Sequence, residues 1–314
     1  MAKWLKGLGL LAVLVLVLGA CSTDSPGSSE DSGESSDGES DDSIKIGLSI
    51  STLNNPFFVT LREGAEAAAD EAGYDIVVTD AQDDASTQLS DIEDLLQQNV
   101  DVLLVNPVDS EAVATAIESA NEQDVPVITV DRSAAGGEVA THIASDNVSG
   151  GEMAGEFIAE QLEESGKLVE LQGVPGASAT RERGEGFHNI VDSIDGLEVV
   201  AQQTANFNRS EGLTVMENII QGSDDMDAVF AHNDEMALGA VEALQSNGML
   251  EDVIVVGFDA TDDARAAVKE GTMDATIAQQ PEVIGEKAIE AAASVAGGEY
   301  IDEFIPVELK MVTE

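Results

Sequence analysis

The chain has 314 residues, of which 43% are hydrophobic and only 4% aromatic, and this length suffices for two domains with filled cores. Its 62 acidic residues outnumber 13 basic ones, and the formal net charge of -49 argues against nucleic acid as a partner. Self-repulsion of this size destabilises a compact chain unless salt screens it, and at molar salt the screening length falls to about 3 Å. We therefore expect a halophilic source.

Residues 1–20 have the pattern of a signal peptide: two lysines, an apolar run over residues 8–18, and small residues before Cys21. The tetrapeptide at 18–21 resembles the lipobox of prokaryotic lipoproteins, and Cys21 is the single cysteine of the chain. The resemblance implies export and a diacylglyceryl anchor at Cys21, either on the outer face of the cytoplasmic membrane or in the periplasm. The alternative is an uncleaved membrane anchor, but the apolar run is shorter than the roughly 20 residues that a spanning helix needs.

Residues 22–43 consist almost entirely of Ser, Gly, Asp and Glu and cannot build a core. Together with Cys21 they form a predicted segment 21–43, a lipidated cysteine followed by a disordered acidic linker. This linker would hold the folded part clear of the membrane.

After residue 44, short apolar runs rich in β-branched residues alternate with longer segments of helical periodicity, such as 109–123 and 234–246. Apolar strands separated by helices predict parallel sheets covered on both faces, and eleven strands suit two sheets better than one. The fold class is therefore α/β, doubly wound. The predicted strands are 44–50, 74–79, 102–105, 127–130, 142–144, 168–171, 199–202, 228–231, 253–258, 275–278 and a last run near 306–311.

Polar, charged and aromatic residues follow the strands, at the sheet edge where open parallel sheets bind ligands. A sugar needs carboxylate acceptors, forked guanidinium donors, amides, and aromatic faces against its C–H surfaces. The strand ends supply this set. Taken singly, Phe57 and Phe58 fit a core, Asp131 and Arg132 fit a surface pair, and Asn233, Asp259, Gln279 and Asp234 fit helix caps.

Several segments resemble the bacterial ribose-binding proteins, a group of periplasmic sugar-binding proteins that feed ATP-driven importers. They are 51–58 (STLNNPFF), 127–132 (VITVDR), 181–187 (RERGEGF), 233–239 (NDEMALG) and 257–259 (GFD), and the similarity extends in order over residues 44–314. The resemblance implies a type I periplasmic binding protein fold, with two Rossmann-like lobes joined by a three-segment hinge. The first lobe would comprise 44–145 plus 280–308, and the second 146–279 plus 309–314.

The resemblance also implies sugar contacts, all with residue types that suit a sugar hydroxyl or ring. His232 and Ala260, beside the site, stand where glutamine and glycine are expected. The implied contacts are Asn55, Phe57, Phe58, Asp131, Arg132, Arg183, Phe207, Asn233, Asp259 and Gln279.

The implied ligand is D-ribose or a related monosaccharide such as allose or another pentose. The implied partners are the membrane permease and ATPase subunits of an ABC importer, with a chemoreceptor as an alternative or additional partner. We expect a monomer that binds no nucleic acid and uses no metal or cofactor.

Two other classes fit less well. A hydrolase would need a nucleophile motif, and the nearest segment, 176–180 (GASAT), lacks the closing glycine. His142, His188 and His232 form no metal-binding motif, so we expect no catalysis. A sugar-responsive repressor would begin with a DNA-binding helix-turn-helix instead of a signal peptide.

Residues 147–149 and 208–210 match the acceptor pattern for N-glycosylation. Such triplets arise often by chance, so we give them little weight.

Overall fold

A computed structural model of the chain describes residues 43–223 and 225–313. The predicted signal peptide, Cys21 and nearly all of the acidic linker lie outside these residues. Ser43–Glu314 forms one compact unit. No helix among the described residues is long and apolar enough to cross a bilayer.

The described residues form twelve strands and nine α-helices, which alternate over most of the unit. The strands are β1 (Lys45–Ile50), β2 (Asp75–Asp80), β3 (Val102–Val105), β4 (Val127–Val130), β5 (Thr141–Ser145), β6 (Gly166–Gln172), β7 (Leu197–Thr204), β8 (Ala228–Ala231), β9 (Ile254–Asp259), β10 (Ala275–Ala278), β11 (Phe304–Val307) and β12 (Lys310–Val312). The helices are α1 (Pro56–Ala72), α2 (Ala85–Gln97), α3 (Ala114–Asn121), α4 (Asn147–Gln161), α5 (Ser178–Val191), α6 (Arg209–Gly222), α7 (Asp234–Ser246), α8 (Asp262–Glu270) and α9 (Pro281–Ala296).

The strands form two six-stranded sheets, each the centre of one lobe. The first sheet has the order β11-β5-β4-β3-β1-β2 and the second β12-β10-β9-β8-β6-β7. All pairs in the first sheet are parallel, as are all in the second except β10 with β12. The predicted pair of doubly wound α/β lobes is confirmed.

Four inner strands are buried along their whole length because helices cover both faces of each sheet. All four residues of β3, β4, β8 and β10 are buried, which is why these strands read as unbroken apolar runs in the sequence. In contrast, the edge strand β7 alternates between exposed and half-buried residues. Two cores fill the spaces on either side of each sheet.

Two details differ from the sequence prediction. The run near 306–311 is two strands in different sheets, β11 and β12, and β12 is antiparallel to β10. Pro306 is tolerated in β11 because this strand lies at the edge of its sheet. The predicted helical segment 109–123 starts its regular helix only at Ala114, because the Asp109 side chain accepts hydrogen bonds from the amides of Glu111 and Ala112 and holds a turn.

Candidate functional site

The chain passes between the two sheets three times: after β5, after β10 and after β11. Asp146 lies at the first passage and Gln279 at the second. A small cavity of about 10 Å³ lies between the lobes. It is lined by all ten sugar contacts that the resemblance implied, together with Ala179.

The first lobe supplies its side chains from the carboxyl ends of β1 and β4. Asn55 begins α1 by accepting a hydrogen bond from the amide of Phe57, and this cap directs the two phenylalanine rings into the cavity. The rings of Phe57 and Phe58 meet edge to face, with centroids 5.2 Å apart. Asp131 and Arg132 follow β4 directly and are both almost fully buried.

The second lobe supplies residues from α5, from the loop after β7, and from the ends of β8 and β9. Asn233 begins α7 by accepting a hydrogen bond from the amide of Met236. The same residue therefore caps the helix and lines the cavity. Its amide also donates to the carbonyl of Phe207. Gln279, at the second passage, donates to Asp259 at 2.9 Å.

The guanidinium groups and aromatic rings of the cavity are stacked together. The Arg132 guanidinium carbon lies 5.0 Å from the ring centre of Phe58 and 5.2 Å from that of Phe207. The corresponding carbon of Arg183 lies 3.8 Å from the ring of Phe258. Such stacking holds the planar cation over an aromatic face and leaves its N–H groups free at the rim of the plane.

Burial is the largest cause of the pKa shifts of the charged side chains in the cavity. It raises the pKa of Asp131, although Arg183, Arg132 and a hydrogen bond from Asn106 act to lower it. It also raises the pKa of Asp259 well above the ordinary value, against the charge of Arg183. Burial lowers the pKa of Arg132. A ligand whose hydroxyls donate to these carboxylates would stabilise their ionised forms.

Three buried polar atoms of the cavity residues have no hydrogen-bond partner among the described residues: Asp131 Oδ1, Arg132 Nε and Gln279 Oε1. Buried polar groups in folded proteins are nearly always paired. Two acceptors and one donor at a cavity wall suit a ligand that can both donate and accept, as hydroxyl groups do.

Positive backbone φ angles cluster at the cavity. Asp131 has φ of 61°, Phe207 of 57° and Asp259 of 116°. Non-glycine residues adopt such angles only where the surrounding structure enforces them, and binding sites are a common place. Ala260, where glycine was expected, has φ of 53°. This conformation costs glycine little and explains why glycine suits the position.

One capping prediction was wrong. Asn233, and not Asp234, caps α7; Asp234 is fully buried and its carboxylate accepts hydrogen bonds from the Thr276 hydroxyl and the Thr261 amide. Its pKa is raised to about 7, chiefly by burial. Asp234 therefore joins α7 to the segments after β9 and in β10, beneath the cavity.

Sequence reasoning missed three residues behind or beside the cavity. Asn106, after β3, donates to the carbonyl of Val130 and contacts Asp131 Oδ2 at 3.5 Å. Asn147, the first residue of α4, accepts from Arg183. Ala179 lines the cavity from α5. The available signal was weak: each is a small or amide residue just beyond a strand or at a helix start.

His232 occupies a buried network under Arg183. Its Nε2 lies 2.7 Å from Glu170 Oε1, and both side chains are fully buried. Burial lowers the pKa of His232, whereas the pKa of Glu170 is about 2 because hydrogen bonds from His232 and Gln202 outweigh its own burial. The lowered pKa of His232 keeps its imidazole neutral and the lowered pKa of Glu170 keeps its carboxylate ionised, so the two shifts agree. Since Nδ1 of His232 is buried without a partner among the described residues, we assign a neutral imidazole donating to an ionised Glu170.

The hydroxyl of Ser178, in the segment that most resembles a nucleophile motif, accepts a hydrogen bond from the amide of Ser133. In the part of the chain that the structure describes, no histidine is within hydrogen-bond distance of it. The serine is thus part of a contact between the lobes.

A family model for the periplasmic binding protein domain matches residues 46–300. The chain belongs to the periplasmic binding protein family. It is 53% identical over 305 residues to the ribose import binding protein of Bacillus subtilis (strain 168), covering 97% of each chain. It is 50% identical over 269 residues to the ribose import binding protein of Escherichia coli (strain K12), covering 86% of this chain and 90% of that one.

Solved structures agree with this membership. The Caulobacter myo-inositol binding protein bound to myo-inositol has a TM-score of 0.83 at 34% identity, covering 86% of this chain and 93% of that one. An ABC transporter solute-binding protein of Actinobacillus succinogenes with bound D-allose has a TM-score of 0.81 at 30% identity, covering 86% and 97%. The protein is an extracytoplasmic sugar-binding component of ABC import and not an enzyme.

Proposed function

We propose that the cavity binds D-ribose and that Asn55, Phe57, Phe58, Asp131, Arg132, Arg183, Phe207, Asn233, Asp259 and Gln279 are its sugar contacts. The observation that carries the proposal is that these ten residues, which come from both lobes and are spread over 225 positions of the chain, line one small cavity. The two relatives named for ribose import, at 53% and 50% identity, support the choice of sugar.

Each group has a role that its chemistry allows. The rings of Phe57, Phe58 and Phe207 pack against the C–H faces of the sugar. Asp131, Asp259 and the two arginines clamp hydroxyls with charge-assisted hydrogen bonds, which are roughly twice as strong as neutral ones. The three amide side chains, Asn55, Asn233 and Gln279, complete the hydroxyl network.

A different sugar is the second candidate, because structural neighbours carry myo-inositol and D-allose. A thermal-shift panel in molar KCl separates the candidates, with ribose, allose, arabinose and myo-inositol each added at the same concentration. Mass spectrometry under native conditions identifies any sugar that copurifies. We expect the largest shift from ribose. If another sugar raises the melting temperature more than ribose does, that sugar is the ligand of the site. If no sugar changes the melting temperature, sugar binding is refuted.

We propose that the lobes comprise residues 44–145 plus 280–308 and 146–279 plus 309–314. The membership of the strands in the two sheets supports these bounds, since β11 returns to the first sheet and β12 to the second. A sugar that contacts both lobes favours their closed arrangement, and binding shifts the population toward it. The permease and ATPase subunits of the importer would then receive the closed form, and a chemoreceptor could read the same surface.

We further propose that the protein is a lipoprotein anchored at Cys21. The support is the signal-peptide pattern and the lipobox-like sequence before the single cysteine. Intact-mass measurement of the membrane-fraction protein should show a diacylglyceryl modification that is lost with Cys21→Ala. An unmodified mass for the unaltered protein would contradict the anchor.

A halophilic origin and a monomeric state complete the proposal. The support for the first is the net charge of -49, which only concentrated salt screens well. The support for the second is that a cavity built within one chain needs no second copy. Sedimentation in molar KCl should give the mass of one chain, and a dimer mass would contradict the monomer.

A further inference from the structure

Arg183, one of the proposed sugar clamps, is fixed by three contacts. Its Nε donates to Asn147 Oδ1 at 2.9 Å, and its Nη1 donates to the carbonyl of His232 at 2.6 Å. The flat face of its guanidinium lies 3.8 Å from the ring centre of Phe258. These contacts define the plane and the in-plane rotation of the guanidinium group.

The contact with Asn147 depends on how closely α4 and α5 approach. A side chain on Gly151 would collide with the backbone of Arg183, and one on Gly186 would collide with the carbonyl of Val148. The two helices therefore meet backbone to backbone. This approach lets the short side chain of Asn147 reach the arginine.

Both polar atoms of the Asn147 side chain are hydrogen-bonded. The residue is 2% exposed. Its Oδ1 accepts from Arg183, and its Nδ2 donates to Glu182 Oε2 at 3.1 Å. The glycosylation triplet at 147–149 is thus a structural asparagine whose amide nitrogen is in use.

Asn147 also lies at the first passage of the chain between the two lobes. It directly follows Asp146, where the chain first passes between the lobes, and it is the first residue of α4. Asp146 begins that helix by accepting from the amide of Ser149. The Nε of the arginine is therefore bonded to the segment about which the lobes turn.

We propose that Asn147 is a positioning residue for Arg183. It sets the guanidinium plane for the sugar and ties it to the first passage between the lobes, an inference that rests on the proposed sugar site. Removing its side chain leaves the Nε–H of Arg183 without an acceptor in a buried place, and frees the guanidinium to rotate. We expect ribose affinity to fall about tenfold to a hundredfold, in line with the loss of a buried charge-assisted hydrogen bond.

The test compares three variants of the full chain by calorimetric titration with ribose in molar KCl. Asn147→Ala removes the contact. Asn189→Ala is the matched control, because Asn189 makes the same type of amide-to-carboxylate hydrogen bond between the same two helices, to Glu152 at 3.1 Å, but is exposed and remote from the arginine. The double variant Asn147→Asp/Glu182→Gln exchanges carboxylate and amide, so that both hydrogen bonds can form again.

A second readout does not need a sugar. The NMR signal and solvent exchange of the Arg183 Nε–H in the unliganded protein report the contact directly. We expect slow exchange in the unaltered protein, the Asn189→Ala control and the exchanged pair, and fast exchange in Asn147→Ala. Ribose affinity should fall only in Asn147→Ala.

Equal ribose affinity of Asn147→Ala and Asn189→Ala, or an unchanged exchange rate of the Arg183 Nε–H, would overturn the inference. If Asn147→Ala fails to fold, the exchanged pair decides: a protected Nε–H supports the role and an unprotected one contradicts it. Failure of the unaltered protein to bind ribose would refute the proposed sugar and leave the exchange measurement to decide the role of Asn147.

Discussion

The amide of Ser133, in the first lobe, donates a hydrogen bond to the hydroxyl of Ser178, in the second lobe, at 2.9 Å. A second bond between the lobes runs from the amide of Ser110 to the carbonyl of Gly176 at 3.0 Å. The Ser110 hydroxyl in turn donates to the carbonyl of Ser133. Direct bonds between the lobes thus border the cavity and stabilise their closed arrangement alongside any ligand.

Ser178→Ala should loosen this closure. The loss of one partly buried hydrogen bond costs about 1 kcal/mol, which corresponds to a few-fold weaker ribose binding. The unliganded protein should also show a larger radius of gyration by small-angle X-ray scattering. Ser193→Ala is the control, because that hydroxyl bonds only within its own segment, to Ile190. Identical scattering and affinity for the two variants would contradict a closing role.

Gly173→Ala should displace a ring of the cavity. A methyl group at residue 173 would collide with the ring of Phe207, whose backbone is already held at a positive φ. We expect a folded protein with ribose affinity reduced about tenfold or more, since overpacking costs ~1–3 kcal/mol. Gly222→Ala is the control, because nothing lies within 4 Å of its added methyl group. Calorimetry on both variants decides, and equal affinities would contradict this role for Phe207.

His142 should make stability depend on pH. Its Nδ1 lies 2.9 Å from the Thr129 hydroxyl, its ring stacks on Phe304, and burial lowers its pKa to about 4. The folded protein keeps it neutral down to about pH 4, whereas the unfolded chain protonates near pH 6.5. Its contribution is therefore present above pH 6.5 and lost as the pH falls toward 4.

His142→Gln keeps a hydrogen-bonding side chain without titration. Urea unfolding at pH 4.5 and 7.5 should show a smaller loss of stability on acidification in this variant, by about 1 kcal/mol. This free energy is smaller than the pKa shift of His142 multiplied by about 1.36 kcal/mol per pKa unit. The ring is only half-buried, and solvent therefore screens part of the effect. Other titrating groups cancel in the difference between the two proteins. The same pH dependence in both would show that His142 is not the group.

Salt should stabilise the folded protein. A net charge of -49 opposes compaction, and raising KCl from ~0.1 to ~1 M shortens the screening length from about 10 to about 3 Å. We expect the melting temperature to rise steeply over this range, and sucrose at matched osmolality to raise it much less. Full stability in dilute buffer would contradict the halophilic interpretation.

The family resemblance implied the ten proposed contacts. Most of them also lie at or just beyond the end of a strand or at a helix start, where the sequence alone predicts a ligand site, but Arg183 lies inside α5 and only the resemblance points to it. Asn106 and Asn147 could not be predicted, because they contact other side chains behind the cavity and no periodicity marks such partners. The division of the last run into β11 and β12 was hidden for a similar reason. Apolar periodicity shows that a segment is a strand but does not show which sheet it joins or in which direction.

The N-terminal cap of α7 is a second feature that sequence alone could not predict. Asn233 and Asp234 are both good capping types, and their order along the chain does not decide between them. The structure does so through Thr261 and Thr276, whose amide and hydroxyl are far away in sequence and occupy the carboxylate of Asp234.

Calorimetric titration with ribose in molar KCl, on the unaltered protein and on Arg183→Ala, tests the central claim most directly. Lys269→Ala removes the same charge from the exposed end of α8 and serves as the control. We predict one ribose per chain for the unaltered protein and the control, and a loss of about 30-fold or more in Arg183→Ala, corresponding to ~2 kcal/mol for unpaired buried partners. Equal ribose affinity of Arg183→Ala and Lys269→Ala would contradict the site.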